Sequence, residues 1–68
     1  MAREKSRLAQ IRAHLNEVLA IRNEMIVHLD YCPAEATAVI LGNIDKADRE
    51  LRRLNRERRG IEKQLATR

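Results

Sequence analysis

The chain has 68 residues, a net charge of +4, 35% charged residues and a single aromatic side chain. One cysteine cannot form an internal disulfide, and one cysteine with two histidines is too few for a four-ligand structural zinc site in one chain. The longest uncharged stretch, residues 36–44, is far shorter than the roughly 20 apolar residues of a membrane span, and residues 1–7 lack the apolar core of a signal peptide. We therefore expect a small cytoplasmic helical protein without a cofactor, a metal, a small-molecule substrate or a membrane partner.

Large apolar residues recur at steps of three and four in the first half of the chain. They form a heptad seam of six apolar residues: Leu8, Ile11, Leu15, Val18, Met25 and Leu29. Arg22 takes the one seam position that is not apolar. This spacing is typical of a helix that packs along one stripe against another helix. It predicts a first helix over about residues 2–30.

Pro33 marks a turn between two helical segments. Proline has no N–H and blocks the hydrogen bond to the preceding turn, but it fits the first position of a new helix. We predict a turn at residues 31–33, with Cys32 as the N-cap and Glu35 at the third helical position, near the positive end of the helix dipole. Asp30 is an alternative capping residue.

The second half of the chain repeats the seam, again with one arginine, Arg58, among apolar residues: Ile40, Ile44, Ala47, Leu51, Leu54, Ile61 and Leu65. It predicts a second helix over about residues 33–67. Gly42–Asn43 is the weakest point because a glycine costs about 1 kcal/mol in a helix interior. Since the seam continues in register across it, we favour a continuous helix over a break or kink.

Together these elements predict an all-α, coiled-coil-like antiparallel hairpin that forms one domain over residues 1–68. Folding at the turn places Leu29 near Ile40 and Ile11 near Arg58. A two-helix hairpin has a single seam, and chains of this size often need a partner to become stable. The simplest partner is a second copy in a homodimeric four-helix bundle, although helices of another protein fit the pattern equally.

The surplus apolar residues predict where that partner packs. Six of them lie outside the seam, all in the half of the hairpin nearest the turn: Leu19, Ile21, Ile26, Val27, Val39 and Leu41. We expect them to form a second apolar face, because exposed apolar patches usually mark interfaces.

Positive charge is concentrated at the two ends of the chain and negative charge in its middle. Residues 49–68 carry eight basic and three acidic side chains, whereas residues 13–48 carry two basic and six acidic ones. In a hairpin the two basic chain ends meet and the turn is acidic. This dipolar arrangement favours antiparallel packing of two copies.

An arginine-rich run in the second helix is a candidate phosphate-binding site: Arg49, Arg52, Arg53, Arg56 and Arg59. The guanidinium fork matches phosphate geometry, so an RNA or DNA backbone is one possible ligand. Against this interpretation, Glu50 and Glu57 interleave with the arginines and favour a solvated face of ion pairs, and no aromatic residue lies in the run to stack a single-stranded base.

The remaining polar residues do not indicate a catalytic site. We expect Arg22 and Arg58 to fix the register of the seam, with Asp45 or Asp48 in reach of Arg22. His28 and Cys32 lie one turn apart, but no third group completes a catalytic arrangement. We therefore predict a non-enzymatic protein-interaction module, such as an adaptor, regulator or assembly component, with nucleic-acid binding as the alternative.

Overall fold

A computed structural model of the chain describes residues 2–67 as two helices, α1 (Ala2–Leu29) and α2 (Ala34–Ala66). The helices pack side by side in a rod of 52 × 14 × 13 Å. This arrangement confirms the predicted all-α hairpin.

The core follows the predicted seam. Among the side chains that the structure describes, five apolar ones are buried: Leu8, Ile11, Ile44, Ala47 and Leu54. Ile11 and Leu54 are each only 1% exposed, and the other seam residues of both helices are half-buried. The heptad spacing therefore selects the packed stripe of each helix correctly, including the two half-buried arginines Arg22 and Arg58.

The turn differs from the prediction by one residue. Backbone N–H groups of Tyr31 and Cys32 donate to the carbonyl oxygen of His28 at 3.1 and 2.8 Å, which closes the end of α1. Pro33 has a ψ of 154° and is the N-cap of α2, with its carbonyl oxygen accepting from the Ala36 N–H at 3.0 Å. The assignment of Cys32 as N-cap is therefore wrong, because the extended ψ keeps Pro33 outside the helix.

Within residues 2–67, α2 has no side-chain cap, so Asp30 does not take that role either. Glu35 still lies in the first turn of α2, where its charge complements the helix dipole.

Helix α2 is continuous through Gly42 and Asn43, as the uninterrupted seam predicted. Apart from its own stretch of helix, a methyl group added at Gly42 would meet no described atom within 4 Å. The glycine therefore brings no other part of this chain close to the helix.

Three ion pairs join the two helices within the described residues. Arg7 Nη2 lies 2.7 Å from Glu57 Oε1, Arg12 Nη2 lies 3.5 Å from Glu62 Oε1, and Arg22 Nε lies 2.5 Å from Asp48 Oδ1. The third pair identifies Asp48 as the partner of Arg22, one of the two predicted. All three pairs are consistent with the predicted placement of Ile11 near Arg58.

The rod leaves much of its surface uncovered. Its accessible surface is 5311 Å², whereas a compact monomer of this mass has about 4400 Å². Its radius of gyration is 15.6 Å, against about 11 Å for a compact domain of this length. Within the described residues, neither helix has a stretch that is long and apolar enough to cross a membrane.

Candidate interaction surfaces

The ion pairs between the helices show which residues share a face of the rod. Residues seven apart lie on the same side of a helix. The face marked by the Arg12–Glu62 pair therefore also includes the residues at seven-residue intervals from Arg12 on α1 and from Glu62 on α2. We call this side the Leu19 face, and its members are Arg12, Leu19 and Ile26 from α1 and Leu41, Asp48, Asn55 and Glu62 from α2.

The half of the Leu19 face nearest the turn is apolar and exposed. Leu19, Ile26 and Leu41 are 45%, 38% and 51% exposed. The half-buried seam residues Leu15 and Leu51 adjoin them. The resulting patch is about 20 Å long. A helix that is apolar on its seam and on one flank is typical of bundles with more than two helices.

The other predicted interface residues lie elsewhere, although all six are exposed as expected. Ile21 lies fourteen residues after Arg7 and therefore on the opposite face, the side of the Arg7–Glu57 pair. Val39 lies eighteen residues, or five helical turns, before Glu57, on that side too. Val27 follows Ile26 by one residue and points away from α2. The six residues therefore do not form one continuous face, because the helical rotation divides them among three directions.

Tyr31 is a further exposed residue that the sequence reasoning did not assign to an interface. Its side chain is 83% exposed at the tip of the rod. The only signal in the sequence was its position as the sole aromatic residue, next to the turn-forming Pro33. It adds apolar surface at the same end of the rod as the apolar half of the Leu19 face.

The five arginines of the candidate phosphate site divide into two groups, the first of which is paired with carboxylates. Arg49 forms an ion pair with Asp45. Arg53 donates to both carboxylate oxygens of Glu50 and lies 3.7 Å from Glu57. The hydrogen bonds from Arg53 lower the pKa of Glu50, and those to Glu50 raise the pKa of Arg53. These two arginines fit the solvated ion-pair reading.

The second group has no carboxylate partner among the side chains that the structure describes. Arg52, Arg56 and Arg59 line a shallow groove together with Asn55. Exposed Lys63 continues their line by one helical turn. We call Arg52, Arg56, Arg59 and Lys63 the cationic stripe. Sequence reasoning missed Lys63, although its spacing from Arg59 could have identified it.

The two seam arginines have different environments. The Nε of Arg22 donates a hydrogen bond to Asp48 Oδ1 in their ion pair. Arg58 makes one contact of 3.4 Å between Nη1 and Glu62, while its buried Nε has no hydrogen-bond partner among the described residues. Arg22 therefore fits the predicted role in register better than Arg58 does.

Cys32 and the two histidines form no catalytic arrangement within residues 2–67. The Cys32 thiol is half-buried, 3.7 Å from the carbonyl oxygen of Leu29 and 3.6 Å from the hydroxyl of Thr37. The contact between His28 and Cys32 is a backbone hydrogen bond, in which the Cys32 N–H donates to the His28 carbonyl oxygen. In the same range, no three side chains of the metal-ligating types gather to hold an ion.

Comparisons of the chain with models of protein families, with curated proteins and with solved structures find no match. The function is therefore inferred from the placement of the chain's own residues.

Proposed function

We propose that this protein is a non-enzymatic interaction module that acts as a homodimeric four-helix bundle, with the Leu19 face as its interface. The supporting observation is the imbalance between buried and exposed apolar residues. Among the residues that the structure describes, five apolar residues are buried, whereas seven large ones are between 38% and 83% exposed. Three of these seven, Leu19, Ile26 and Leu41, share the Leu19 face. A chain this small gains little stability from a single seam, so covering the apolar patch stabilises it.

A second copy is a suitable occupant because the rod carries opposite charges at its two ends. By sequence, residues 1–12 and 49–68 have a net positive charge, whereas residues 13–48, which include the turn, have a net negative charge. The described parts of the two basic segments meet at the open end of the rod. Two rods in antiparallel orientation avoid placing two acidic turns side by side. Antiparallel packing is therefore part of the proposal.

The position of the patch also determines how far the two rods overlap. Its centre lies near the Arg22–Asp48 pair, closer to the turn than to the open end. Full overlap would place apolar Leu19 and Ile26 against the partner's basic half. Overlap of the turn halves buries patch on patch and brings each acidic turn, about ten residues past the patch centre, to the edge of the partner's basic half. The resulting dimer is about 70 Å long, compared with 52 Å for one rod.

The solution mass tests self-association. Light scattering at about 0.1 and 0.5 M salt should give about twice 7.9 kDa at both concentrations, because an apolar interface survives the screening of surface charges. Ile26→Lys should produce a monomer. Val27→Lys is the matched control, since it introduces the same side chain one residue away on the outward side of α1, and it should remain dimeric.

A wild-type monomer at both salt concentrations would overturn the homodimer and direct the search to another protein's helices. Equal dissociation of the two lysine variants would overturn the Leu19 face as the interface.

Oxidation of Cys32 tests the orientation. In the staggered antiparallel dimer the two turns are about 30 Å apart, well beyond the roughly 7 Å that a disulfide can bridge between Cα atoms. We expect no covalent dimer after mild oxidation. Efficient Cys32–Cys32 crosslinking would instead demonstrate parallel packing, with the turns together.

A further inference from the structure

The cationic stripe is a second surface, distinct from the Leu19 face. Its four residues follow one another at steps of four, three and four along α2. They therefore lie on one side of the helix over about 16 Å. The stripe lies on the outward side of α2, adjacent to but outside the Leu19 face, so a partner on that face leaves it accessible.

The cationic stripe differs from the surrounding arginines, which form ion pairs with carboxylates. Five arginines that surround it along the rod have carboxylate partners: Arg7, Arg12, Arg49, Arg53 and Arg58. Arg52, Arg56 and Arg59 instead line an open groove with the amide of Asn55. Four cations and a neutral hydrogen-bonding side chain form a surface suited to a row of anions.

We propose that the cationic stripe binds the phosphate backbone of a nucleic-acid duplex. Arginine forks donate two hydrogen bonds to one phosphate, and lysine contributes a point charge. The 16 Å length of the stripe corresponds to the axial rise of about five phosphates on one strand of a duplex. The helix therefore lies along the backbone, with Asn55 as a neutral donor to phosphate or sugar oxygens.

The surroundings of the stripe favour a duplex over other polyanions. Single-stranded nucleic acids are held largely by stacking on aromatic rings, and the only aromatic residue, Tyr31, is at the opposite end of the rod. Membrane-surface helices combine cations with apolar residues that enter the bilayer. The exposed large apolar residues of α2 are Val39 and Leu41, both far from the stripe.

Fluorescence anisotropy with labelled 20-base-pair DNA and RNA duplexes tests the proposal. Four phosphate contacts predict a slope of about −3.6 for the logarithm of DNA affinity against the logarithm of salt concentration. The double variant Arg52→Gln/Arg56→Gln should halve this slope and weaken binding roughly 60-fold at about 0.1 M salt. The DNA and RNA arms determine which duplex the stripe prefers.

The matched control is Arg49→Gln/Arg53→Gln, which removes the same charge from the same helix at paired positions. It should keep the wild-type slope and most of the affinity. Equal losses in both double variants would overturn the stripe as the site, because they would reflect net charge alone. Tighter binding to single strands or to anionic lipid vesicles would overturn the assignment to a duplex.

Two measurements keep the result independent of folding and of dimerisation. Circular dichroism should give the same helix content for both double variants, since all four arginines are exposed. Light scattering should give both variants the wild-type mass. The proposal does not depend on the homodimer, because a monomeric rod presents the same four side chains.

Discussion

Arg58 offers the most direct test of how the seam is stabilised. Among the residues that the structure describes, its buried Nε has no hydrogen-bond partner, and its one ion pair is the 3.4 Å contact between Nη1 and Glu62. Methionine has a similar length and flexibility, so Arg58→Met keeps the seam filled and removes the unpaired donor. We expect this variant to be more stable than the wild type.

The magnitude follows from two opposing contributions. An unsatisfied buried donor costs about 1–3 kcal/mol, and the lower end applies because the Arg58 side chain is still 31% exposed. Losing the pair with Glu62, which lies four residues away on the helix surface, costs about 0.5 kcal/mol. With the apolar burial that methionine adds, the net gain is about 1 kcal/mol. For a chain of this size, that gain raises the melting temperature by about 4–8 °C.

Thermal unfolding followed by circular dichroism measures this change, at one protein concentration for all variants because self-association contributes to stability. Arg22→Met is the matched control. It removes the 2.5 Å pair and leaves the half-buried carboxylate of Asp48 without its cation, so it should lose about 0.5–1 kcal/mol. A lower melting temperature for Arg58→Met, or the same change in both variants, would refute the distinction between the two seam arginines.

Two further predictions concern single residues of α2. Gly42→Ala should raise the free energy of unfolding by about 0.5–1 kcal/mol, since the added methyl group meets open space; urea unfolding measures it, and a loss would contradict the continuous helix. Arg53 lowers the pKa of Glu50 from its ordinary value of 4.5. The carboxylate therefore stabilises the fold above about pH 4.5, and this contribution is lost as the pH falls through the lowered pKa. Wild-type stability should consequently fall more steeply with acid than that of Glu50→Gln, and parallel pH profiles of the melting temperature would count against the Arg53 contact.

The seam could be predicted from sequence because it depends only on local spacing. Apolar residues at steps of three and four mark the same stripe whatever the rest of the chain does. The presence of Pro33 between two such segments then fixes the antiparallel topology. The predicted N-cap, Cys32, precedes the observed one, Pro33, by one residue. Proline can adopt either an extended or a helical ψ, and the sequence does not show which of the two it takes.

The surfaces could be predicted only in part because they depend on contacts between the helices. Glu57 and Glu62 each pair with an arginine fifty residues earlier, and only the register between the helices shows which arginine that is. The same applies to the arginine run, in which spacing shows the positive charges but not which of them are neutralised. Only the positions of the side chains show that Arg53 is paired with carboxylates, whereas Arg56 lines the open groove.

The positions of the two surfaces along the rod have a common physical consequence. The apolar patch lies near the turn and the cationic stripe lies near the open end, so association through the first leaves the second exposed. In a staggered antiparallel dimer, the two stripes project at opposite ends of an assembly about 70 Å long. Each stripe then contacts a separate stretch of backbone, and a duplex long enough to reach both is held by two sites at once. The residue that both surfaces include is Asn55, and it lies in the half of the Leu19 face that the staggered dimer leaves uncovered. Self-association and phosphate binding are therefore compatible in one molecule, because the apolar patch and the cationic stripe have no residue in common.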